Sequence, residues 1–239
     1  MSIRSFPSLA SLSKAAAKDI AALAKEAIAS SGRFTIALSG GNTPRSLYET
    51  LARDYQSTID WSHVLFFLGD ERYVRYDDPA SNYCMARETL FNHIPVTFEN
   101  VYPVNTALPN PEKAATDYST ELRLTIGGGL PSFDLILLGL GNDGHTASLF
   151  PGTDFESEKG KLVVVTSSPI PPTVRISLTL DVINAARNVF FLVAGSDKAS
   201  ILREVLEDRE NAHPKCPAAM VHPAGDLVWF VDEAAMGND

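Results

Sequence analysis

The sequence has few cysteines, few basic residues and no long apolar run, and each shortage excludes a class of protein. Cys84 and Cys216 are too few and too isolated for a disulfide framework or a zinc site. The 20 basic residues against 29 acidic ones give a net charge of -9, which argues against binding to nucleic acid or to an anionic membrane. No apolar run approaches transmembrane length and no signal segment opens the chain, so we expect a cytoplasmic protein.

What the sequence does contain is the composition and alternation of a globular α/β protein. Apolar residues make up 45% of the chain and charged residues 21%, and 239 residues can bury a generous core. Apolar runs predict strands at 34–38, 64–68, 133–138, 162–165, 175–180, 190–194 and 227–231. Helical spacing predicts helices at 8–31, from Thr43-Pro44 onward, and at 82–92, 111–126 and 197–208. The alternation predicts a single domain over residues 1–239, with a Rossmann-like, mostly parallel sheet flanked by helices on both faces.

The most informative segment is the strand at 133–138 and the Asp-Gly-His triplet that follows it, Asp143 to His145. A run that is apolar on both faces is typical of a parallel sheet, in which ligands bind at the carboxyl ends of the strands. An unperturbed histidine titrates near about pH 6.5 and can accept a proton from water, and a nearby aspartate can fix its tautomer. The segment therefore predicts an enzyme with His145 as a catalytic base supported by Asp143.

The same loop also matches the dinucleotide pattern G-x-G-x-x-G over Gly139 to Gly144. That function requires a long helix directly after the loop and an acidic residue at the end of the next strand. Pro151-Gly152 interrupts the segment after about two turns, and Thr166 follows the next predicted strand. We therefore expect no nucleotide cofactor.

A second loop, Ser39 to Arg45, joins a predicted strand to a helix through Gly40 and Gly41. Glycines let successive N–H groups converge, and a helix start adds partial positive charge, so the loop is either a phosphate cradle or an ordinary tight turn. Ser39 is also a candidate nucleophile, but a nucleophile elbow needs its helix to begin directly after the serine. Here Thr43, as N-cap, and Pro44 predict a later start.

Further charged residues lie at other strand and helix ends. Asp70 and Arg72 follow the strand at 64–68, where Arg72 can stabilise an oxyanion or bind a substrate oxygen. Arg175 enters a strand, and Lys198 lies in the first turn of a helix, where its charge opposes the helix dipole and suggests a bound anion. The remaining histidines show no metal-ligand spacing, so we expect no metal site: His63, His93, His213 and His222.

These segments together resemble the 6-phosphogluconolactonase family, within the glucosamine-6-phosphate isomerase/6-phosphogluconolactonase superfamily. The resemblance covers nearly the whole chain and rests on six blocks in order: 38–44, 69–74, 81–83, 139–152, 175–179 and 195–198. Arg75 departs from the family pattern, which often has proline at this position, in a loop that carries no predicted catalytic residue.

The resemblance implies a lactonase that hydrolyses 6-phospho-D-glucono-1,5-lactone to 6-phosphogluconate in the oxidative pentose phosphate pathway, without a metal or organic cofactor. It implies His145 as general base, Asp143 as its support and Arg72 near the reacting end of the sugar. The residues that it implies for the phosphate or its neighbouring hydroxyls are Gly40, Gly41, Asn42, Thr43, Asp70, Arg45, Arg175 and Lys198. Which cation contacts the phosphate, and whether the protein is a monomer or a homodimer, stay open.

Two other functions compete with the lactonase. The related deaminase-isomerases resemble Asp-Gly-His-Ile-Ala-Phe-Asn-Glu-Pro, with a glutamate five residues after the histidine that helps open the sugar ring. This chain has Phe150 there, which cannot relay a proton. A noncatalytic sugar-phosphate sensor fused to a DNA-binding segment is the second competitor, and the single helix predicted before Phe34 leaves no room for such a segment.

Overall fold

Strands and helices alternate in the computed structural model, which describes residues 1–155, 157–211 and 215–237; His213 lies outside them. The strands in these ranges are β1 (Ser2–Phe6), β2 (Phe34–Leu38), β3 (Val64–Leu68), β4 (Asp70–Arg72), β5 (Val101–Tyr102), β6 (Leu135–Gly139), β7 (Val163–Ser167), β8 (Val174–Leu178), β9 (Asn188–Val193) and β10 (Asp226–Asp232). The α-helices are α1 (Leu9–Ser31), α2 (Asn42–Asp54), α3 (Asn82–Thr89), α4 (Pro111–Thr125), α5 (Leu180–Asn184), α6 (Ala199–Asp208) and α7 (Glu233–Met236).

Seven strands form one parallel sheet in the order β1-β10-β9-β6-β2-β3-β5. Alternate residues of its central strands pack on opposite faces of the sheet. Phe34 and Ile36 of β2 both pack on one face, against α1, α2 and α3. Ile136 and Leu138 pack on the other face, in the cluster that contains α4, α5 and α6. The predicted α/β class, with a mostly parallel sheet covered on both faces, is confirmed.

The predicted strands at 162–165 and 175–180 exist, but they lie outside the parallel sheet. β7 and β8 pair antiparallel with each other and with β4 in a second sheet of three strands, ordered β4-β8-β7. Sequence alone indicated only a charged loop at Asp70 to Arg72. Asp70 and Glu71 are buried in this strand, and Arg72 lies opposite Arg175 in the register.

Some boundaries differ from the predictions because backbone geometry overrides local propensity. α2 begins at Asn42 with Gly41 as its N-cap at φ +104°, so the prediction of Thr43 as N-cap is wrong by two residues. Lys198 ends a short 3₁₀ turn that precedes α6, rather than lying inside the α-helix. The short elements β1, β5, α5 and α7 were not predicted. No helix in the described ranges is long and apolar enough to cross a bilayer.

Two buried tyrosines complete the carboxyl ends of β2 and β3. The Tyr48 hydroxyl accepts a hydrogen bond from the Ser39 amide at 3.0 Å and donates to the Ser39 carbonyl at 2.8 Å. The Tyr118 hydroxyl makes the same pair of bonds with Leu68, at 2.8 and 2.9 Å. The backbone groups at these two strand ends are therefore satisfied without a further strand residue.

Candidate active site

The loops after β2 and β6 border a cleft of about 650 Å³ at the carboxyl edge of the parallel sheet. β2 and β6 are neighbours in the sheet. From β2 the chain passes through α2 to β3 on one side, whereas after β6 it re-enters this sheet at β9 on the other side, so the loops after β2 and β6 lead in opposite directions. Such a switch point is where α/β sheets bind ligands. Gly40 and Gly41 of the glycine loop (residues 39–41) and Asp143 and His145 of the His145 loop (residues 140–150) all line this cleft.

His145 is held in one orientation by Asp143. The imidazole Nδ1 lies 2.5 Å from Asp143 Oδ1, which also accepts the His145 backbone N–H at 3.1 Å. Partial burial opposes ionisation of Asp143, but these hydrogen bonds and the charge of His145 outweigh it and lower the pKa of Asp143. An ionised carboxylate accepts the Nδ1 proton, which leaves a lone pair on Nε2. The arrangement is suited to general-base chemistry.

The glycines of the His145 loop are explained by packing against the imidazole and the protein interior. A Cβ on Gly141 would overlap the His145 ring. Gly144 adopts φ +83°, and a Cβ there would lie 2.7 Å from Cys216 Sγ. Burial raises the pKa of Cys216 to about 11, so this thiol is protonated at neutral pH. Close packing thus accounts for Gly141 and Gly144 of the G-x-G-x-x-G pattern, whereas a Cβ at Gly139 would meet nothing within 4 Å.

The glycine loop leaves the start of α2 without a side-chain cap. Gly41 is the N-cap and has no side chain to accept from the first-turn N–H groups, which favours an external anion. Gly40 packs against the Asn82 side chain, which a Cβ would overlap. Asn82 lines the cleft, and sequence reasoning gave it no role. The buried Ser39 hydroxyl has no hydrogen-bond partner among the described residues.

The two acidic residues of β4 face different surroundings. Asp70 lines the cleft and accepts hydrogen bonds from Ser148 Oγ at 2.5 Å and Asn82 Nδ2 at 3.3 Å. Glu71 instead accepts from the Asn82 and Tyr83 amides at the start of α3, at 2.7 and 2.9 Å. Burial raises the pKa of Glu71, although these hydrogen bonds oppose the rise. Glu71 therefore caps a helix, and Asp70 faces the cleft.

Arg72 and Arg175 are cross-strand neighbours with unused donors. The Nε of each is buried and has no hydrogen-bond partner in the described part of the chain. Burial and the adjacent Arg72 charge lower the pKa of Arg175. Arg72 lines the cleft, while Arg175 lies behind its wall and donates weakly to Ser168 Oγ at 3.3 Å and the Ile170 carbonyl at 3.4 Å. Two adjacent guanidinium charges at the cleft and directly behind it are suited to binding an anion.

The other predicted cations are separated by the fold. Lys198 lines the cleft and donates to Asn142 Oδ1 of the His145 loop. Arg45 lies outside it, in a larger groove of about 980 Å³ along α2 and α3. That groove is not at the strand ends, and its His93 bonds to the Glu88 carbonyl rather than to a carboxylate.

The remaining predictions from the sequence are that Asn42 and Thr43 bind the phosphate and that the chain has no metal site. Asn42 and Thr43 form the first turn of α2, next to the cleft lining. Within residues 1–155, 157–211 and 215–237, no three His, Cys, Asp or Glu side chains are grouped to hold a metal ion.

Comparison with known proteins agrees with this architecture. Residues 7–229 match the family described as glucosamine-6-phosphate isomerases/6-phosphogluconolactonase. The 6-phosphogluconolactonase of Synechocystis sp. is 43% identical over 89% of this chain and 88% of its own, and that of Rattus norvegicus is 44% identical over 85% and 80%. The crystal structure of 6-phosphogluconolactonase from Thermotoga maritima has a TM-score of 0.84 at 33% identity, covering 97% of this chain and 100% of that one. The chain belongs to the glucosamine-6-phosphate isomerase/6-phosphogluconolactonase family.

Proposed function

We propose that this protein is a carboxylic ester hydrolase that converts 6-phospho-D-glucono-1,5-lactone to 6-phospho-D-gluconate, the second step of the oxidative pentose phosphate pathway. The observation that carries the proposal is the shared cleft, in which His145, oriented by Asp143, and the glycine loop line one space of about 650 Å³. Relatives that are 40–44% identical and named 6-phosphogluconolactonase favour this activity within the family.

The reaction needs a base, a water molecule and stabilisation of one transient negative charge. His145 Nε2 removes a proton from water as the oxygen attacks the lactone carbonyl. The carbonyl oxygen becomes an oxyanion, for which Arg72 is the proposed donor because its guanidinium carries a positive charge and the residue lines the cleft. The C–O bond to the ring oxygen then breaks, and that oxygen takes the proton from the His145 imidazolium. Asp143 stabilises the imidazolium throughout.

The phosphate of the substrate is proposed to bind at the start of α2. Gly40 and Gly41, with the amides of Asn42 and Thr43, supply backbone donors at a helix N-terminus. Lys198 supplies positive charge from within the cleft, and Arg175 does so from behind its wall. Asp70 keeps free lone pairs beside the two hydrogen bonds that it accepts, so it can also accept from a sugar hydroxyl. Arg45 receives no role here because it lies in another groove.

The alternative chemistries are less well supported. The deaminase-isomerase pattern has a glutamate five residues after the histidine as proton relay, and this chain has Phe150 there, whose ring centroid lies 4.6 Å from that of His145. A serine nucleophile needs a base within hydrogen-bond reach. The Ser39 hydroxyl has no such partner in the described ranges. A noncatalytic sugar-phosphate-binding domain is expected to show no turnover, so an assay separates it from the lactonase.

The test is a coupled assay on freshly generated 6-phosphogluconolactone, with glucosamine 6-phosphate as the control substrate. Spontaneous opening of the lactone sets a background rate that must be subtracted. We expect turnover of the lactone and none of the amino sugar. Turnover of glucosamine 6-phosphate, or binding of the lactone without acceleration, would reject the lactonase assignment.

The cellular setting and domain organisation are also proposals. Both cysteines are free and buried, as is usual for proteins of a reducing compartment such as the cytoplasm. We propose a single domain because the hydrophobic clusters on the two faces share the strands of one sheet. The proposed partner is the small sugar-phosphate substrate, and the choice between monomer and homodimer stays open.

A further inference from the structure

We propose that Ser148 is a positioning residue. Through the Asp70 carboxylate it fixes the His145 loop relative to the glycine loop, so that the imidazole and the phosphate cradle keep a set separation. The expected effect on kinetics rests on the proposed function, whereas the connection from Ser148 through Asp70 to the glycine loop, called the link below, does not. No side chain of this link serves as the base in the proposed reaction.

Ser148 is tied to all three strands of the small sheet. Its hydroxyl donates to Asp70 of β4 at 2.5 Å, and its amide donates to Ser177 Oγ of β8 at 3.2 Å. Its carbonyl accepts from Thr166 Oγ1 of β7 at 2.7 Å. Ser148 is only 2% exposed, so each of these groups has exchanged water for a protein partner. It lies three residues after His145 and therefore anchors that loop.

Asp70 carries the link to the other side of the cleft. Its Oδ1 and its backbone carbonyl accept from Asn82 Nδ2 at 3.3 and 2.8 Å, while Oδ2 accepts from Ser148. The Asn82 side chain in turn lies directly against Gly40. Asp70 is 7% exposed, and a buried carboxylate whose two oxygens have different partners resists displacement of either partner. One carboxylate thus spans the two loops.

The backbone conformation of the residue before Ser148 indicates that the surrounding contacts hold Ser148 in place. Ala147 adopts φ +47°, the left-handed region that a residue with a Cβ rarely occupies. Such a conformation persists when the surrounding contacts over-determine it. The three hydrogen bonds of Ser148 are those contacts, and Ala147 itself lines the cleft. A ligand that reaches both loops is sensitive to this separation, and a displacement of about 1 Å costs about 10²-fold in rate.

The first experiment compares two ligands that differ in reach. Calorimetry measures the binding of two ligands to the wild-type protein and to the Ser148→Ala variant. In the proposed site 6-phosphogluconate extends from the phosphate cradle toward His145, whereas inorganic phosphate occupies the cradle alone. We expect the variant to bind 6-phosphogluconate about tenfold more weakly and inorganic phosphate within about twofold, with kcat falling more than KM rises. Equal weakening of both ligands, or of neither, would overturn the proposal.

The second experiment needs no substrate. Amide hydrogen exchange in the glycine loop is compared between the wild-type protein and Ser148→Ala. The link predicts faster exchange in residues 39–41, across the cleft from the substitution, as well as in the His145 loop. Unchanged exchange in residues 39–41 would reject the link even if the protein proved to lack lactonase activity.

A matched control separates the link from a general loss of stability. Ser13 is also buried, and its hydroxyl donates to Ser46 Oγ at 3.0 Å between α1 and α2. Ser13→Ala removes the same chemical group and must leave both the ligand ratio and the exchange of residues 39–41 unchanged. If Ser148→Ala does not fold, Asn82→Ala breaks the other half of the link and must give the same difference between ligands; equal effects on the two would again count against it.

Discussion

The amino and carboxyl ends of the parallel sheet both border cavities with polar residues, but they differ in whether the buried polar groups have hydrogen-bond partners. At the amino end a cavity of about 500 Å³ contains Asp134, a buried residue. Its carboxylate accepts from the Thr35 amide and hydroxyl, both at 2.8 Å, and from Arg187 Nη1 at 2.9 Å. The amino end is satisfied from within the chain.

The carboxyl end leaves donors unused. Of the five buried side-chain polar atoms without a partner in the described ranges, three belong to residues at or directly behind the cleft: Ser39, Arg72 and Arg175. A buried donor without a partner costs free energy unless something else satisfies it. The difference agrees with the proposed function, in which the carboxyl end binds the substrate while the amino end only stabilises the fold. Substitutions at the two ends should therefore affect different measurements.

The largest expected effect is that of His145→Ala. Loss of the general base should lower kcat by roughly two to four orders of magnitude, because proton transfer from water is no longer assisted. The lactonase assay measures the rate, and circular dichroism and a thermal melt verify that the fold is intact. A purified variant with a rate near that of the wild-type protein would show that another group is the base.

Gly141→Ala should reach the same site indirectly. The new methyl group would overlap the His145 ring and move it away from Asp143, so we expect a loss of about 10²-fold in kcat. Gly129→Ala is the matched control, because a Cβ at Gly129 meets nothing within 4 Å. Equal activity of the two variants would contradict the close contact between Gly141 and the imidazole.

Asp134→Ala tests the amino end. Removing the carboxylate leaves the buried Thr35 amide and hydroxyl without their acceptor, so the free energy of unfolding should fall by about 2 kcal/mol. Urea unfolding measures this loss. The kcat and KM of the folded variant should match those of the wild-type protein, and a large change in either would remove the distinction between the two ends.

Lys198→Ala should mainly raise KM, by about tenfold, because a phosphate contact acts on the ground state and the transition state alike. Arg45→Ala is the control from outside the cleft and should leave KM unchanged. Steady-state kinetics on the lactone measure both variants. A reduced kcat at constant KM would move Lys198 from phosphate binding into the chemical step.

The smallest expected effect concerns pH. The pKa of Asp143 is lowered in the folded protein, so its carboxylate stabilises the fold above the unfolded value of about 3.9, and this contribution is lost as the pH falls through the folded pKa. The difference in free energy of unfolding between the wild-type protein and Asp143→Asn should persist down to about pH 5 and shrink below about pH 4. Urea titrations across this range measure it; a difference independent of pH would mean that the Asp143 charge adds nothing to stability.

The features that the sequence predicted well depend on local patterns. The buried strands at 34–38 and 64–68 agree with the structure because apolar runs bounded by glycine or charge have few other solutions. Asp143 and His145 lie at the sheet edge because the carboxyl ends of parallel strands meet there. The extent of the single domain and the roles of the individual site residues remain predictions.

The features that the sequence could not predict depend on pairing between distant segments. β4 is three charged or polar residues that form a strand only because β8 lies beside them. Asn82 and Ser148 acquire partners through Asp70, and neither has a local motif that indicates this. Arg45 lines another groove, and α2, which carries it, begins at Asn42, two residues earlier than its threonine and proline indicated.

The tyrosine hydroxyls at the ends of β2 and β3 have a consequence for the shape of the crevice. The Tyr48 and Tyr118 hydroxyls take the hydrogen bonds that a neighbouring strand would otherwise make at these positions, and Ser39, which Tyr48 holds, lines the cleft. Burial raises the pKa of both phenols, so neither loses its proton near neutral pH. The backbone that these tyrosines hold is therefore expected to keep its geometry while, in the proposed reaction, the His145 imidazole gains and loses charge.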